Sequence, residues 1–451
     1  MIAFGLFCYI LLIIGIFSKS PFNATYDVVF LWGFLAVYAG TRWIQGLFEK
    51  KKDLSFLTFW IFVIVFFVIA GGLQVFSGIY PWGGGYDDLK IVDALLIVIL
   101  GCIFFDLGYG LSKNVSLFGE WYYFFSRGIS HSKLFILVLL TVPISFLILS
   151  RLGGLDFILQ PRLDASKLEA AQIARESNQG ARVLLVSFMR AFPIVSFLCM
   201  LYLTAIRERI KFHYPLLFLS FLEVAFFCNP ISTPRFLVGS IFVSSVLIWS
   251  FHRFPKVVSS FIAFLLFALV TIFPITDIYR NTLDISLSEV LDSYLKDNPL
   301  IYKPDYDVFQ QVLNTVDFVS MYGYKMFDQI IGVVLFAVPR GIWPTKPMST
   351  GELLADGLGY SFSNLSAPLW AEFYIDAGIF WLCIGMFLYG SYLTYLKKLF
   401  YIKGSIGAVI IFFFSAYQIF FLRGSLMITF GYFMPTLLIF FLVSTKKRIT
   451  V

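Results

Sequence analysis

Long apolar runs, separated by short polar segments, recur along almost the whole chain. A helix that crosses a membrane needs about 20 mostly apolar residues. We therefore expect about twelve membrane-spanning helices, at residues 2–17, 28–48, 54–76, 91–112, 133–152, 183–205, 214–229, 235–252, 257–275, 371–396, 404–422 and 426–444. The pattern predicts an all-α polytopic membrane protein in which residues 1–451 form a single integral membrane domain.

Two segments between the predicted spans are much longer than simple connections, at residues 153–182 and 276–370. Loops of this length are uncommon unless they have a function. In the second loop, apolar residues recur at helical spacing, at Phe309, Val312, Leu313, Val316 and Val319. This spacing predicts an amphipathic helix that lies on the bilayer or on the helix bundle. We expect both loops to be folded and to contain short helices.

Clusters of Lys and Arg in the short loops set the expected orientation. They include residues 50–52, 207–211 and 446–448. Short cytoplasmic loops carry an excess of Lys and Arg, and with an even number of spans all of these clusters fall on one face. We therefore expect both termini in the cytoplasm and both long loops on the outside.

The composition excludes several classes of protein. Charged residues make up 14% of the chain and the mean hydropathy is +0.85, whereas soluble domains contain about a quarter charged residues. The net charge of +7 comes without a basic tract or a nucleotide-binding glycine loop, so no nucleic-acid partner is expected. The five cysteines and three histidines lack metal-ligand spacing, and we predict neither a metal nor a cofactor.

Arginines recur at the outer side of the predicted topology, where the charge rule predicts few of them. They are Arg151, Arg162, Arg175, Arg182, Arg235, Arg280, Arg340 and Arg423. Any one of them could extend to lipid phosphate or cap helix carbonyls. As a group, their guanidinium forks match phosphate oxygens, and we predict that they bind a pyrophosphate near the outer membrane surface.

Acidic residues beside these arginines are candidates for acid–base chemistry. Glu372 lies at the outer start of a predicted span, four residues from Asp376 on the same helix face, and is our first candidate for a general base that acts on a sugar hydroxyl. The alternative is that Glu372 pairs with an arginine or stabilises a helix N-terminus. Asp277 is the second candidate for the base. Glu223, inside a span, is a candidate counter-ion for Arg235.

The proline-rich stretch VPRGIWPTKP predicts a rigid turn with three projecting side chains, those of Arg340, Trp343 and Lys346. The ring of Trp343 could stack on the apolar face of a sugar, and Tyr360 could do the same. The alternative is that Trp343 belongs to the aromatic belt found at membrane surfaces. We include Arg340, Trp343 and Lys346 among the expected substrate-binding residues.

Several of these segments, in this order, resemble the Wzy-type bacterial polysaccharide polymerases, the family of O-antigen repeat-unit polymerases. They are GGLDFILQPRLD, NPISTPRFLVG, ITDIYRN, VPRGIWPTKP, SAPLWAEFYIDAG and IFFLRGSL. The resemblance extends over roughly residues 140–440. It implies an architecture like that of the GT-C membrane glycosyltransferases and a location in the bacterial plasma membrane.

The resemblance also implies a reaction. A glycan linked to undecaprenyl pyrophosphate is transferred, without a metal, to a second lipid-linked repeat unit on the outer membrane face. The implied partners are these lipid-linked oligosaccharides and membrane lipid, together with a chain-length regulator and a flippase. The basic positions of the family correspond here to Arg162, Arg235, Arg280, Arg340 and Arg423. They would neutralise the departing pyrophosphate, while Glu372 or Asp277 takes the acceptor proton.

Three other functions stay open from the sequence. An enzyme like the O-antigen ligases would use an outer histidine, but His131, His213 and His252 are all predicted on the cytoplasmic side. A transporter or flippase of lipid-linked sugars would favour inverted repeats, discontinuous helices and paired charges near the middle of the membrane. A structural scaffold would use the outer arginines as lipid contacts.

Overall fold

The computed structural model describes residues 9–10, 13–17, 24–112, 124–159, 179–275, 288–289, 298–363 and 365–448. Most of these residues are helical. The longer helices are α1 (Tyr26–Phe48), α2 (Leu54–Ser77), α3 (Asp88–Leu111), α4 (His131–Leu152), α6 (Gln179–Ile206), α7 (His213–Phe227), α8 (Arg235–Arg253), α9 (Val258–Ile275), α11 (Val308–Tyr322), α14 (Leu369–Lys397), α15 (Ile406–Arg423) and α16 (Leu426–Leu442). The shorter helices are α5 (Leu155–Leu159), α10 (Pro299–Tyr302), α12 (Asp328–Val334) and α13 (Thr350–Gly357).

Eight helices in the described part of the chain are long and apolar enough to cross a membrane. They are α2, α3, α4, α6, α8, α9, α14 and α15, while α7 and α16 are shorter apolar helices. The prediction of a helical protein with many membrane-length segments is confirmed in this form. The number of twelve spans stays a prediction, because α1, at the predicted span 28–48, is not among the eight, and much of the predicted span 2–17 lies outside the described residues. The boundaries also agree closely, since the run at 91–112 corresponds to Asp88–Leu111 and the run at 133–152 to His131–Leu152.

Helix α2 forms the centre of the bundle. Its most apolar stretch is completely buried, as expected for a helix that is hydrophobic on all sides. Part of this helix, Val63–Ala70, has π-helical hydrogen bonding. The ring of Phe59 stacks on Phe105 of α3 with centroids 3.5 Å apart, and on Trp370 of α14. Aromatic side chains therefore fill the space between the central helices.

Helices α3 and α14 pack with their backbones in close approach. A Cβ atom on Gly108 would collide with the carbonyl of Phe387, and one on Gly390 would collide with the carbonyl of Phe105. Small residues at such crossings allow helix backbones to approach closely in membranes. At the other end of α14, the indole N–H of Trp370 donates to the carbonyl of Val98 at 3.1 Å, and this bond places the first turn of α14, which carries Glu372, beside α3.

The described part of the second long loop is folded against the bundle. The predicted amphipathic helix is confirmed as α11, and its apolar residues Phe309, Val312 and Leu313 are buried. This helix packs on α3 and α14, so it lies on the bundle rather than alone on the bilayer. At the opposite end of the molecule, two short antiparallel strands pair, β1 (Arg127–Ile129) and β2 (Ser444–Arg448).

Candidate functional site

The ends of two helices place Arg235 and Arg423 around one carboxylate. Helix α8 begins at Arg235 directly after Pro234, which fits a helix start because proline lacks the N–H that a first turn leaves unused. Helix α15 ends at Arg423. Nη1 of Arg235 lies 4.0 Å from Oδ2 of Asp305, and Nη1 of Arg423 lies 3.8 Å from Oδ1 of the same residue. We call Arg235 and Arg423 the arginine pair.

Arg423 is held in place by a second, buried carboxylate. Its Nη2 donates to the carbonyl oxygen of Pro304 at 2.8 Å and lies 3.5 Å from Oδ1 of Asp307. Asp307 is only 1% exposed and accepts hydrogen bonds from Trp82 Nε1 at 2.7 Å and from Ser366 Oγ at 2.6 Å. The orientation of the Arg423 guanidinium is therefore fixed by groups that are themselves fixed.

Asp305 differs from Asp307 in its exposure and in its weaker contacts with the arginines. Its side chain is 40% exposed, and its distances to the arginine pair are at the upper limit for an ion pair. Exposed pairs of this kind contribute little to stability, at most about 1 kcal/mol. An anion with more charge and more oxygens, such as a diphosphate, can compete for these two guanidinium groups.

A hydrogen-bonded network of amide and aromatic side chains holds Asp307 in place. Gln311 Nε2 donates to Asp307 Oδ2 at 3.2 Å, and Asn314 Nδ2 donates to Gln311 Oε1 at 3.1 Å. The hydroxyls of Tyr86 and Tyr360 both donate to Asn314 Oδ1, at 2.6 and 3.2 Å. These bonds tie α11 to two loops and end at the carboxylate that orients Arg423.

The predicted partnership of Glu223 with Arg235 is wrong. Arg235 pairs with Asp305, while Glu223 is buried in α7 at 3% exposure and both of its carboxyl oxygens lack a hydrogen-bond partner among the described residues. Spacing along the sequence suggested the pair, but α7 and α8 are joined through a break at residues 228–234. The fold brings Asp305 of the second long loop to Arg235 instead.

The cations of the proline-rich turn bond within the turn itself. Arg340 donates from Nη1 to the carbonyl of Lys346 at 2.6 Å, and Lys346 Nζ donates to the carbonyl of Phe336 at 2.6 Å. Burial, and then the neighbouring charge of Arg340, lower the pKa of Lys346 below its usual range. The indole N–H of Trp343 donates to Thr345 Oγ1 at 3.1 Å. These donors stabilise the predicted rigid turn rather than reach toward the arginine pair.

Glu372 lies in the first turn of α14 and is 4% exposed. Its Oε1 accepts the backbone N–H of Leu426, at the start of α16, and its Oε2 accepts the hydroxyl of Thr350, each at 2.7 Å. Asp376 similarly accepts the backbone N–H groups of Gln329 and Ile330 in α12, both at 3.0 Å. This geometry matches the alternative in which the carboxylate stabilises a helix N-terminus, although the helix is a neighbouring one. The general-base role of Glu372 stays a prediction.

Three predicted site residues, Arg162, Asp277 and Arg280, lie outside the described residues. In the part that is described, no three His, Cys, Asp or Glu side chains are grouped so as to hold a metal ion. Sequence reasoning missed Asp305 and Asp307. Both follow Pro304 in a polar stretch of the second loop. A search for acidic residues beside these arginines along the sequence does not find them, because the contacts join segments that are 70 to 119 residues apart.

Comparison with known proteins does not identify a family. No protein-family model matches the chain, and neither a curated protein nor a solved structure is similar to it. The site is therefore interpreted from its own geometry and from the sequence.

Proposed function

We propose that the protein is a membrane glycosyltransferase that joins undecaprenyl-pyrophosphate-linked oligosaccharide repeat units on the outer face of the bacterial plasma membrane. The observation that carries this proposal is the convergence of Arg235 and Arg423 on Asp305. Guanidinium pairs are suited to diphosphate oxygens because they bind them in bidentate fashion. The resemblance to the repeat-unit polymerases supports the same substrate.

The reaction would need the following steps. The acceptor hydroxyl oxygen forms a bond to the anomeric carbon of the donor, and the bond from that carbon to the pyrophosphate oxygen breaks. The pyrophosphate leaves with its bonding electrons, and the arginine pair stabilises the negative charge that develops on it. The hydroxyl proton passes to a carboxylate, for which Glu372 and Asp277 are the proposed candidates. The substrate diphosphate takes the position that Asp305 occupies between the two guanidinium groups.

The direct test is chain elongation by the purified protein in liposomes that contain an undecaprenyl-pyrophosphate-linked repeat unit. We expect Arg423→Ala to lower the elongation rate roughly 100-fold, which is typical for removal of one donor that stabilises developing charge. Arg151→Ala is the matched control, because Arg151 is exposed at the end of α4 and does not belong to the arginine pair. Equal rates in both variants would contradict the proposal.

A transporter of lipid-linked sugars is the second candidate, because helix α14 is interrupted inside its membrane-length run. Ala377 and Gly378 depart from helical geometry, and Gly378 has φ 69°, a conformation that favours glycine. The carbonyl of Ile375 consequently accepts the N–H of Lys325 at 2.9 Å. Interrupted helices of this kind often form substrate sites in transporters.

Surface polysaccharide distinguishes the two candidates in cells. If Arg423→Ala impairs a polymerase, single repeat units still reach the surface, whereas loss of a transporter leaves no repeat units there. A ligase-like reaction is less favoured, because His252 lies at the far end of α8 from Arg235, and His131 and His213 lie at the same end as Glu208 and Arg209.

A further inference from the structure

A second basic site lies at the other end of α8 from the arginine pair. Helix α8 runs from Arg235 to Arg253, so these residues are about 27 Å apart along the axis at 1.5 Å per residue. At the Arg253 end, the ends of α6, α7 and α8 enclose a cavity of about 250 Å³. Arg207, Arg209 and Arg253 line this cavity together with His213 and Tyr214. We call it the basic pocket.

The backbone around the basic pocket is held in an uncommon conformation. The turn between α6 and α7 has left-handed residues at both ends, Arg207 with φ 67° and Phe212 with φ 56°. Such conformations are unfavourable for residues with a side chain, and they concentrate at sites of function. Here the strained turn places Arg207 and Arg209 at the mouth of the pocket instead of letting α6 continue.

Two nitrogen atoms at the pocket are buried without a hydrogen-bond partner among the described residues. They are Nε of Arg253 and Nδ1 of His213, and the His213 side chain is only 5% exposed. The other nitrogens of these residues are occupied, since Arg253 Nη2 donates to the carbonyl of Thr204 at 2.6 Å and His213 Nε2 lies 2.8 Å from Thr204 Oγ1. Thr204 Oγ1 donates its own proton to the carbonyl of Met200 at 2.8 Å, so it accepts from Nε2–H of His213, and Nδ1 of the neutral ring is an acceptor. The Nε–H of Arg253 is therefore the buried donor without a partner, which is costly, and an oxyanion in the pocket would satisfy it.

The charge of the pocket is positive. Its one acidic residue, Glu208, is directed toward His131 of α4 at 3.7 Å, whereas the three arginines surround the cavity. The guanidinium of Arg209 lies 5.3 Å from the ring centre of Tyr214, and that of Arg253 lies 5.4 Å from Trp249. Aromatic residues beside cations are typical of the membrane–water interface, which is where the end of a spanning helix lies.

An exposed apolar stripe on α7 begins at the pocket and runs along the helix. Tyr214, Phe218 and Phe221 are exposed by 57%, 64% and 50%, and their spacing of three and four residues puts them on one helix face. A membrane lipid has the matching shape, with a phosphate at one end and acyl chains at the other. A free phosphate would have no use for the adjoining stripe.

We propose that the basic pocket binds the phosphate of an anionic phospholipid whose acyl chains lie along α7. Basic pockets between helix ends bind anionic lipid headgroups in this way. The site is independent of the glycosyltransferase proposal, because it lies at the opposite end of the bundle and shares no residue with the arginine pair. It would fix the depth of α6, α7 and α8 in the membrane.

The test is native mass spectrometry of the full-length protein in detergent, titrated with dioleoyl phosphatidylglycerol or dioleoyl phosphatidylcholine. The variant is Arg207→Asn combined with Arg209→Gln, because both side chains are exposed and asparagine tolerates the left-handed conformation at 207. We expect the unsubstituted protein to retain phosphatidylglycerol in preference, and the double variant to bind it roughly 10- to 30-fold more weakly. The control is Lys256→Gln, an exposed cation beside the end of α8, which should leave binding unchanged.

Three outcomes would overturn the proposal. The first is equal retention of both lipids by the unsubstituted protein, and the second is an equal loss in Lys256→Gln. The third is displacement of phosphatidylglycerol by millimolar glycerol 3-phosphate, because that result would identify a site for soluble phosphates rather than for lipid. Thermal unfolding of each variant in detergent verifies that a loss of binding does not reflect a loss of fold.

Discussion

Two groups of cations, both predicted on the outer side, look alike in the sequence but are used in opposite ways by the fold. Arg340 and Lys346, six residues apart, donate to carbonyl groups of their own turn. Arg235 and Arg423 come from the start of one helix and the end of another, and both approach Asp305. Donors that are satisfied by neighbouring carbonyls stabilise a loop, whereas guanidinium groups that share an exposed carboxylate form a site where an anion can be exchanged.

The largest effect is expected at Asp307, the buried carboxylate that orients Arg423 and has no counterpart at Arg340. Asp307→Ala would leave Arg423 without its buried partner and would leave the donors on Trp82, Ser366 and Gln311 unpaired. We expect the free energy of unfolding to fall by about 3 kcal/mol. Equilibrium unfolding in detergent micelles would measure this. The neighbouring variant Asp305→Ala, at an exposed carboxylate, should change stability by less than about 1 kcal/mol, and equal losses would show that the two aspartates do not differ as described.

Substitutions of Glu372 test whether its carboxylate has a structural or a catalytic role. Glu372→Ala removes the acceptor for the N–H of Leu426, and we expect a loss of about 1–2 kcal/mol, as for other caps of a helix N-terminus. Glu372→Gln keeps one carbonyl oxygen and should restore most of this stability. If Glu372→Gln unfolds normally but elongates glycans roughly 100-fold more slowly, the carboxylate acts as a base. Full activity in that variant would limit Glu372 to its structural role.

Asp305 is the carboxylate that we expect a diphosphate ligand to displace from the arginine pair. Asp305→Asn removes the negative charge that competes with a ligand for Arg235 and Arg423, so we expect farnesyl pyrophosphate to bind about fivefold more tightly. Isothermal titration in detergent measures the affinity, with farnesyl monophosphate as the control ligand. Weaker binding in Asp305→Asn would mean that the carboxylate helps to hold the ligand.

The smallest effect is expected at the turn that is satisfied within itself. Arg340 is exposed and donates only to the nearby carbonyls of Lys346 and Pro347. We expect Arg340→Ala to change the free energy of unfolding by less than about 0.5 kcal/mol and to leave farnesyl pyrophosphate affinity within about twofold. A larger loss of affinity would place Arg340 with the arginine pair and end the distinction between the two groups.

The helices could be predicted well because their hydrogen bonds are local. An apolar run of membrane length forms a helix whichever neighbours it packs against, since its backbone N–H and C=O groups have no other partners in lipid. The period of α11 was equally readable, because Phe309, Val312 and Leu313 follow the 3.6-residue repeat. Sequence also predicted that Arg235 and Arg423 are unusual, from their position at the ends of apolar runs.

The partners of those arginines were not predictable in the same way. Glu223 was the nearest acidic residue to Arg235 along the sequence, yet Asp305 is its partner in the fold. The sequence likewise gave no reason to expect that Glu372 contacts Leu426 or that Trp82 contacts Asp307. Each of these contacts joins segments that the chain separates by more than fifty residues.

The sequence by itself determined the class of the protein, the positions of its membrane-length helices and the places where arginines end them. Only the tertiary structure decided which arginines share a carboxylate. The attraction between a guanidinium and a carboxylate is strong only at a separation of a few ångströms, and helix packing sets that separation. Arg423 became part of the arginine pair because α15 ends beside the folded loop that carries Asp305 and Asp307. Arg340 became part of a turn because its own chain supplied carbonyl acceptors first.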